Sequence, residues 1–221
     1  VSTPVEAVMQ ISDVHMGMQQ SADEVEGFNE FSPQICRERC MFYAKQFVEW
    51  VELHRKSYTC NDVRIICTGD NISGDIHKNL TVTNAFPIPI QAVEAGILIS
   101  DMIGYVQPYF RNIVVEFGTE DNHGRLEFKP QAKEAGMNTM NYIVGFIAQE
   151  RTKALKNVKF NLYPMLQKVI VVQEQRYLIT HGHTVQGWAG LPWYGWERKL
   201  GREATKRMRA KHQMFDCIVA G

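Results

Sequence analysis

An apolar run that ends on a Gly-Asp pair lies at residues 63–71, which read Val-Arg-Ile-Ile-Cys-Thr-Gly-Asp-Asn. Its segment Arg64-Ile65-Ile66-Cys67 is too apolar to face water on one side, so we predict a strand that is buried on both faces. Similar short β-rich runs alternate along the chain with longer helical stretches, and they also end on polar residues or Gly. This alternation predicts an α/β fold.

Seven strands and four helices are predicted from this pattern. The strands are expected at residues 8–12, 63–68, 113–117, 158–162, 168–172, 177–180 and 215–220, and the helices at residues 34–56, 88–107, 132–152 and 197–212. The short Gln-Glu-Gln-Arg connection before residue 177 predicts a hairpin, and therefore some antiparallel pairing. The chain contains no internal repeat and no Gly/Ser-rich linker, so we expect a single domain over residues 1–221.

The composition is that of an ordinary globular chain. The 221 residues include 24 Lys and Arg against 24 Asp and Glu, and 45% are hydrophobic, which excludes a disordered, collagenous or coiled-coil chain. Five cysteines without a Cys-x-x-Cys pair indicate neither a disulfide framework nor a zinc-thiolate site. No apolar run approaches the ~20 residues of a membrane-spanning helix, and the N-terminus lacks the pattern of a signal peptide. We therefore expect an intracellular, cytoplasmic protein with no membrane partner.

Polar side chains with metal-binding chemistry follow four of the predicted strands. In chain order they are Asp13, His15, Asp70, Asn122, His123, His181 and His183. Loops at the carboxyl ends of strands converge on one edge of an open α/β sheet, and these nitrogen and oxygen donors suit Mn²⁺, Fe²⁺ or Zn²⁺. A single Asp or His after a strand is more often a turn, cap or otherwise satisfied polar residue. The repetition at four strand ends is what favours a metal site.

Four short stretches resemble the signatures of a known enzyme family. Residues 11–15 (Ile-Ser-Asp-Val-His), 68–71 (Thr-Gly-Asp-Asn), 121–124 (Asp-Asn-His-Gly) and 180–183 (Thr-His-Gly-His) resemble, in order and rough spacing, the DxH, GD, GNH and HGH motifs of the calcineurin-like metallophosphoesterases. The resemblance implies a four-layer α/β/β/α sandwich of two mixed sheets flanked by helices. It also implies a centre of two divalent metal ions, with Mn first and Fe, Zn or Mg as alternatives.

The resemblance also implies a role for each matching residue. Asp13 and His15 would bind the first metal ion, Asp70 would bridge both ions, and Asn122 and His181 would bind the second. His123 would be the catalytic histidine, which contacts the phosphate and protonates the leaving oxygen. The attacking group would be a hydroxide activated by the two metal ions.

The end of the sequence departs from the family pattern. The family closes its site with a Gly-His-x-His motif after the last strand, and this sequence stops at Gly221 after the fitting Ile218-Val219-Ala220. Two further histidine ligands would belong to that motif. We therefore expect residues 1–221 to be a metallophosphoesterase domain that lacks its C-terminal part.

Smaller departures lie within the motifs. Asp121 stands where the family has Gly before Asn, and Gly124 stands where an acidic residue often follows the His. Ser73 replaces the second Asp of the usual GDxxD, and Asp75 and His77 lie close by as substitutes or as solvated loop residues. These changes leave the implied ligands in place and affect the residues around them.

A basic and aromatic segment at residues 186–214 indicates the substrate. Rings that stack on bases and cations that contact phosphates are typical of nucleic-acid binding, whereas the alternative is a solvated amphipathic helix with aromatic residues packed on the core. Together with Arg125, which follows the Asn-His-Gly stretch, the predicted substrate-binding residues are Arg125, His183, Trp193, Tyr194, Arg198 and Lys199. The stretches Asn-His-Gly-Arg and Trp-Tyr-Gly-Trp-Glu-Arg also resemble, more weakly, those of phage-type and DNA-repair-type phosphoesterases.

The function predicted from these patterns is metal-dependent hydrolysis of phosphate esters, with a phosphodiesterase or nuclease acting on DNA or RNA as the first expectation. Two alternatives remain. One is a non-catalytic scaffold or binding subunit with the same fold. The other is a phosphomonoesterase for small metabolites or phosphoproteins. The sequence indicates no oligomeric state.

Overall fold

The computed structural model describes residues 4–76, 78–127, 135–187, 192–208, 210 and 213–221. The strands in these ranges are β1 Pro4–Ile11, β2 Thr59–Cys67, β3 Asn112–Gly118, β4 Val158–Tyr163, β5 Gln167–Val172, β6 Gln175–Thr180 and β7 Cys217–Ala220. The α-helices are α1 Pro33–His54, α2 Lys78–Thr83, α3 Ile88–Val106, α4 Met140–Thr152 and α5 Trp193–Arg207, and short 3₁₀ helices span Ala22–Val25 and Gln107–Tyr109.

All seven predicted strands are confirmed, with small shifts at their ends. The four predicted helices correspond to α1, α3, α4 and α5, whereas α2 was not predicted. Helix α4 begins later than predicted, because the Thr139 side chain accepts a hydrogen bond from the Asn141 N–H and caps the helix there. The predicted start at residue 132 lies outside the described residues. Helix α5 begins four residues earlier than predicted, so the aromatic residues lie in its first turn.

The first sheet has the strand order β1-β2-β3-β4, and every pair of neighbours is parallel. The prediction of a mixed sheet is wrong for this sheet. Parallel neighbours need crossover connections, which are supplied by α1, α3 and α4 between successive strands. The prediction that β2 is buried on both faces is confirmed, since Ile65 and Ile66 point to opposite faces and are both almost completely buried.

The second sheet has the order β5-β6-β7 and is mixed, as predicted. Strands β5 and β6 form the predicted antiparallel hairpin, while β6 and β7 are parallel. Only Gln173 and Glu174 connect β5 to β6, and Gln173 has a left-handed φ of 54°. A two-residue connection of this kind matches the twist of the paired strands.

The two sheets contact each other through apolar residues and one buried ion-pair cluster. Ile66 of β2 packs against a small group on β5 and β6 that consists of Ile170, Val172, Ile179 and Tyr177. The buried Glu116 carboxylate on β3 accepts hydrogen bonds from Lys168 Nζ on β5 at 2.7 Å and from Arg64 on β2 at 3.3 Å. The larger hydrophobic core joins β1 to β4 with α1, α3 and α4.

Within the described part of the chain, no helix combines the length and the apolar composition needed to cross a membrane.

Candidate metal centre

The loops that follow β1 and β2 are held side by side by backbone hydrogen bonds. The N–H of Asp13 donates to the carbonyl of Gly69 at 3.2 Å, and the N–H of His15 donates to the carbonyl of Asp70 at 3.0 Å. The parallel pairing of the two strands therefore continues beyond their ends. As a result, the candidate ligands Asp13, His15 and Asp70 emerge at one edge of the first sheet.

Unusual backbone conformations are concentrated in these two loops. Five non-glycine residues in the described ranges have a left-handed φ, and three of them are Asp13 at 54°, His15 at 48° and Asp70 at 50°. Side chains other than Gly adopt this region at an energetic cost, of order 1 to 3 kcal/mol each, which the surrounding hydrogen bonds must offset. Backbone strain of this kind is concentrated at functional sites, and here it occurs at three of the metal ligands predicted from the sequence.

Three of the predicted site residues form a compact group. Donor atoms of His15, Asp70 and His123 all lie within 4.8 Å of one another, which is close enough for one cation to contact all three. The rings of His15 and His123 meet edge to face with their centroids 4.7 Å apart. His123 Nε2 is 3.8 Å from Asp70 Oδ2. No second group of this kind is found in the ranges that the structure describes.

The same oxygen of Asp70 also contacts His181, and the other predicted ligands lie next to His181 and His15. His181 Nε2 lies 3.2 Å from Asp70 Oδ2 and 2.8 Å from Asn122 Oδ1. At the other end, Asp13 Oδ1 is 3.7 Å from His15 Nε2. The five predicted ligands and the predicted catalytic histidine are therefore all brought together. We call this set the Asp70 cluster: Asp13, His15, Asp70, Asn122, His123 and His181.

The electrostatics of the Asp70 cluster favour ionised carboxylates. Burial alone would raise the pKa of Asp70, but the hydrogen bond and charge of His181, together with His123, hold that pKa below its usual value. A hydrogen bond with His15 lowers the pKa of Asp13 to about 2. Burial opposes a charge on His181, yet the neighbouring Asp70 raises the pKa of its imidazole. Two carboxylates that stay charged among imidazoles are well suited to hold a cation.

The orientation of His123 is set by the loop that follows β2. The distance from His123 Nδ1 to the Ser73 carbonyl oxygen is 2.6 Å, so Nδ1–H is the donor and Nε2 faces Asp70. The next residue, Gly74, has φ 68°, and a Cβ there would lie 2.1 Å from the His123 carbonyl oxygen. Ser73 thus contacts His123 through its backbone carbonyl.

Asp121 has a role that the sequence did not reveal. Its buried carboxylate accepts hydrogen bonds from the backbone N–H groups of Asp70 and Gly124, both at 2.8 Å. Burial raises the pKa of Asp121, and the charge of Asp70 raises it further. A Cβ at Gly124 would lie 2.8 Å from Asp121 Oδ1, so the absence of a side chain there leaves room for the carboxylate. Asp121 and Gly124 therefore form one structural unit.

Gln91 of α3 is a second residue that sequence reasoning missed. Its side chain is fully buried, accepts a hydrogen bond from the Gly74 N–H at 2.9 Å and donates to the Phe86 carbonyl at 3.0 Å. It therefore supports the loop that orients His123. A Gln among the apolar residues at the start of α3 was the only available signal. The neighbouring Asp75 is exposed, and His77 lies outside the described residues.

The predicted substrate-binding residues divide into two groups. The ring of His183 lies 5.3 Å from that of His181, and burial lowers the pKa of His183 to about 4, so it is neutral at pH 7. Arg125 is half-buried, and its Nε has no hydrogen-bond partner among the described residues. These two residues lie beside the Asp70 cluster.

The other predicted substrate-binding residues are Trp193, Tyr194, Arg198 and Lys199 on α5. Trp193 and Tyr194 are exposed, and the Arg198 guanidinium lies over the Tyr194 ring at 5.7 Å. Lys199 Nζ donates to Thr184 Oγ1 at 3.0 Å. Of the aromatic residues of α5, Trp196 approaches the loop after β6, since a Cβ on Gly182 would lie 3.5 Å from its ring.

A comparison with models of known protein families found no match, and a comparison with curated proteins found no similar sequence.

Proposed function

We propose that the chain is a metal-dependent phosphoesterase that hydrolyses phosphodiesters. The observation that carries the proposal is the position of Asp70, whose Oδ2 lies 3.2 Å from His181 Nε2 and 3.8 Å from His123 Nε2. A donor atom of His15 also lies within 4.8 Å of Asp70, so this carboxylate has predicted ligands of both ions nearby and is suited to bridge two cations. The resemblance of four sequence stretches to calcineurin-like metallophosphoesterases supports the same conclusion.

The residues present fit a centre of two divalent ions. Two imidazoles, two carboxylates and one amide oxygen are donors that Mn²⁺, Fe²⁺ and Zn²⁺ accept, and Mn²⁺ is our first expectation. Asp13 and His15 would hold one ion and Asn122 and His181 the other, with Asp70 shared. The pKa of Asp13 near 2 keeps its carboxylate available to a cation at neutral pH. When bound, the ions supply positive charge that polarises a phosphoryl oxygen and acidifies a water molecule.

His123 would supply the proton that the leaving oxygen needs. Hydrolysis of a phosphodiester adds water across one P–O bond and releases an alcohol and a phosphomonoester, so the departing oxygen must gain a proton. The Ser73 carbonyl holds His123 Nδ1–H, and Nε2 faces the Asp70 cluster, where the phosphate would lie. A positioned imidazole of this kind contributes about 10² to 10⁴ in rate as a general acid.

We also propose that the fold is the four-layer sandwich of this family. The packing of α1, α3 and α4 on the first sheet and the contact of Ile66 with the second sheet support three of the layers. The fourth layer would be α5 on the second sheet. Its support is the hydrogen bond from Arg207 on α5 to Gln167 on β5, at 3.1 Å.

Hydrolysis of bis(p-nitrophenyl) phosphate with added Mn²⁺ tests the proposed function. We expect Asp70→Asn and His123→Gln each to lower kcat/KM by at least about 100-fold, because the first removes the shared carboxylate charge and the second the general acid. Asp23→Asn and His54→Gln are matched controls, since Asp23 is exposed on a 3₁₀ helix and His54 ends α1. Activity that survives both site substitutions would contradict the proposal.

Two further measurements separate this function from the alternatives. Calorimetric titration with Mn²⁺ should show binding that Asp70→Asn weakens, whereas a scaffold without a metal site would show none. A preference for p-nitrophenyl phosphate over the diester would indicate a phosphomonoesterase and would contradict the diesterase assignment.

A further inference from the structure

A basic cavity lies between α5 and the loop that follows β6. Its volume is about 310 Å³. Thr184, Val185 and Gln186 of the loop form one wall, and one face of α5 forms the other. Four of the side chains that α5 contributes are cationic: Arg198, Lys199, Arg202 and Lys206. We call this space the α5 cavity.

The α5 cavity follows from the spacing of residues on the helix. Positions 195, 198, 199, 202 and 206 recur every three or four residues and therefore share one face. Gly195 allows this face to approach the loop, because a Cβ there would lie 2.2 Å from the Gln186 carbonyl oxygen. A larger residue at this position would push the cations away from the loop.

Glu203, which lines the α5 cavity, balances only part of the cavity's positive charge. Its buried carboxylate is already paired with Lys206 at 3.0 Å and with Arg207. Among the described residues, no carboxylate lies within 4 Å of the charged groups of Arg198, Lys199 or Arg202. Burial lowers the pKa of Lys199, the charge of Glu203 opposes this shift, and the charges of Lys206 and Arg207 lower the pKa further. Cations that repel one another in this way would be stabilised by an anion.

Polar groups connect the α5 cavity to the Asp70 cluster. Lys199 Nζ donates to Thr184 Oγ1 at 3.0 Å, and Thr184 directly follows His183. The His183 ring lies 5.3 Å from the His181 ring, and His181 contacts Asp70. The buried Nδ1 of His183 has no hydrogen-bond partner in the described part of the chain. Thr184 and His183 are therefore consecutive polar residues that connect the α5 cavity to the Asp70 cluster.

We propose that the α5 cavity binds a backbone phosphate of a nucleic-acid strand whose scissile phosphate lies at the Asp70 cluster. This inference rests on the proposed phosphodiesterase function and narrows its substrate to polynucleotides rather than small diesters. The exposed Trp193 and Tyr194 at the start of the same helix offer rings on which bases of the strand can stack. Arg202 and Lys206 thereby join the substrate-binding residues predicted from the sequence.

Binding of a single-stranded oligonucleotide to the metal-free protein tests the inference. Fluorescence anisotropy with a labelled strand of about 12 nucleotides, recorded in EDTA over a range of NaCl concentrations, measures affinity and its salt dependence. Arg202→Glu should weaken binding at least about tenfold at low salt. Arg202→Gln should lower the slope of log K against log salt by about 0.7, the value for one lost contact to a single strand. Lys156→Glu reverses an exposed charge next to β4 and serves as the matched control.

The outcomes distinguish this inference from its alternatives. The inference would be overturned if both Arg202 variants kept the wild-type affinity and salt dependence. It would also be overturned if Lys156→Glu lost as much affinity for the oligonucleotide as Arg202→Glu. Inorganic phosphate that binds as tightly as the oligonucleotide would identify a site for free phosphate and would overturn it as well. Thermal unfolding of both Arg202 variants should match wild type, since Arg202 is exposed. Oligonucleotide binding is measured in the absence of metal and does not depend on hydrolysis. If the protein failed to hydrolyse the diester, that result would therefore contradict the proposed function and not this inference.

Discussion

The buried carboxylate of Asp121 accepts a hydrogen bond from the backbone N–H of Asp70 at 2.8 Å. The residue that would bridge two cations is thus held by its neighbour on the loop after β3. The second oxygen of Asp121 accepts the Gly124 N–H, which fixes the turn that carries Asn122 and His123. One side chain therefore joins the two loops on which the candidate site depends.

Replacement of Asp121 should weaken metal binding, although Asp121 is not one of the proposed ligands. In Asp121→Asn one of the two acceptors becomes an NH₂ group that faces a backbone N–H, so a buried donor is left unsatisfied. We expect Mn²⁺ affinity to fall by about 10- to 100-fold and the free energy of unfolding to fall by about 1 to 3 kcal/mol. Calorimetry and chemical denaturation measure these two quantities. Asp75→Asn, at an exposed position of the loop after β2, should leave both unchanged.

Gly74 is expected to be essential for the orientation of His123. Its φ of 68° disfavours any side chain, and a Cβ would overlap the His123 carbonyl oxygen at 2.1 Å. Gly74→Ala should destabilise the fold by about 1 to 3 kcal/mol and should lower kcat more than it raises KM, because the general acid is displaced. Gly104→Ala tests the opposite case on α3, where no atom lies within 4 Å of the new Cβ. It should stabilise the protein by about 0.5 to 1 kcal/mol, as Ala is the better helix former. A wild-type kcat in the Gly74→Ala variant would contradict the role of Gly74 in orienting His123.

Stability near neutral pH should depend in part on the charge of Glu203. Burial raises the pKa of this carboxyl, but hydrogen bonds from Lys206 and Arg207 outweigh burial and lower the pKa below its usual value of 4.5. A carboxyl whose pKa is lower in the folded state than in the unfolded state stabilises the fold at pH values above its unfolded-state pKa. This stabilisation is lost as the pH falls through the folded-state pKa.

The Glu203→Gln variant tests this expectation. It should unfold at a lower temperature than wild type at pH 7, and the difference should shrink as the pH falls below about 4.5. Thermal unfolding across this range measures the effect, with Glu197→Gln as a control at an exposed position of the same helix. A difference that is constant with pH would show that the charge of Glu203 contributes nothing.

Local patterns predicted the elements well because each element depends mostly on nearby residues. The apolar run at residues 63–68 is a strand buried on both faces, and the short connection after Val172 forms a two-residue hairpin. Helix ends were less predictable. Helix α4 begins later than predicted because Thr139 caps it. Helix α5 begins earlier than predicted, at Trp193, whose exposed apolar side chain does not fit the amphipathic pattern used to predict helices.

By itself, the sequence determined the order of the strands along the chain and the polar residues that follow them, since periodicity and turn residues act over a few positions. The structure brings all six members of the Asp70 cluster together, as expected from their places at strand ends. Only the tertiary structure decided that the first sheet is wholly parallel, that Asp121 anchors Asp70, and that Gly195 brings a basic helix face against the loop after β6. These features are contacts between residues far apart in the chain. Their existence depends on how packed elements meet, which no local pattern specifies.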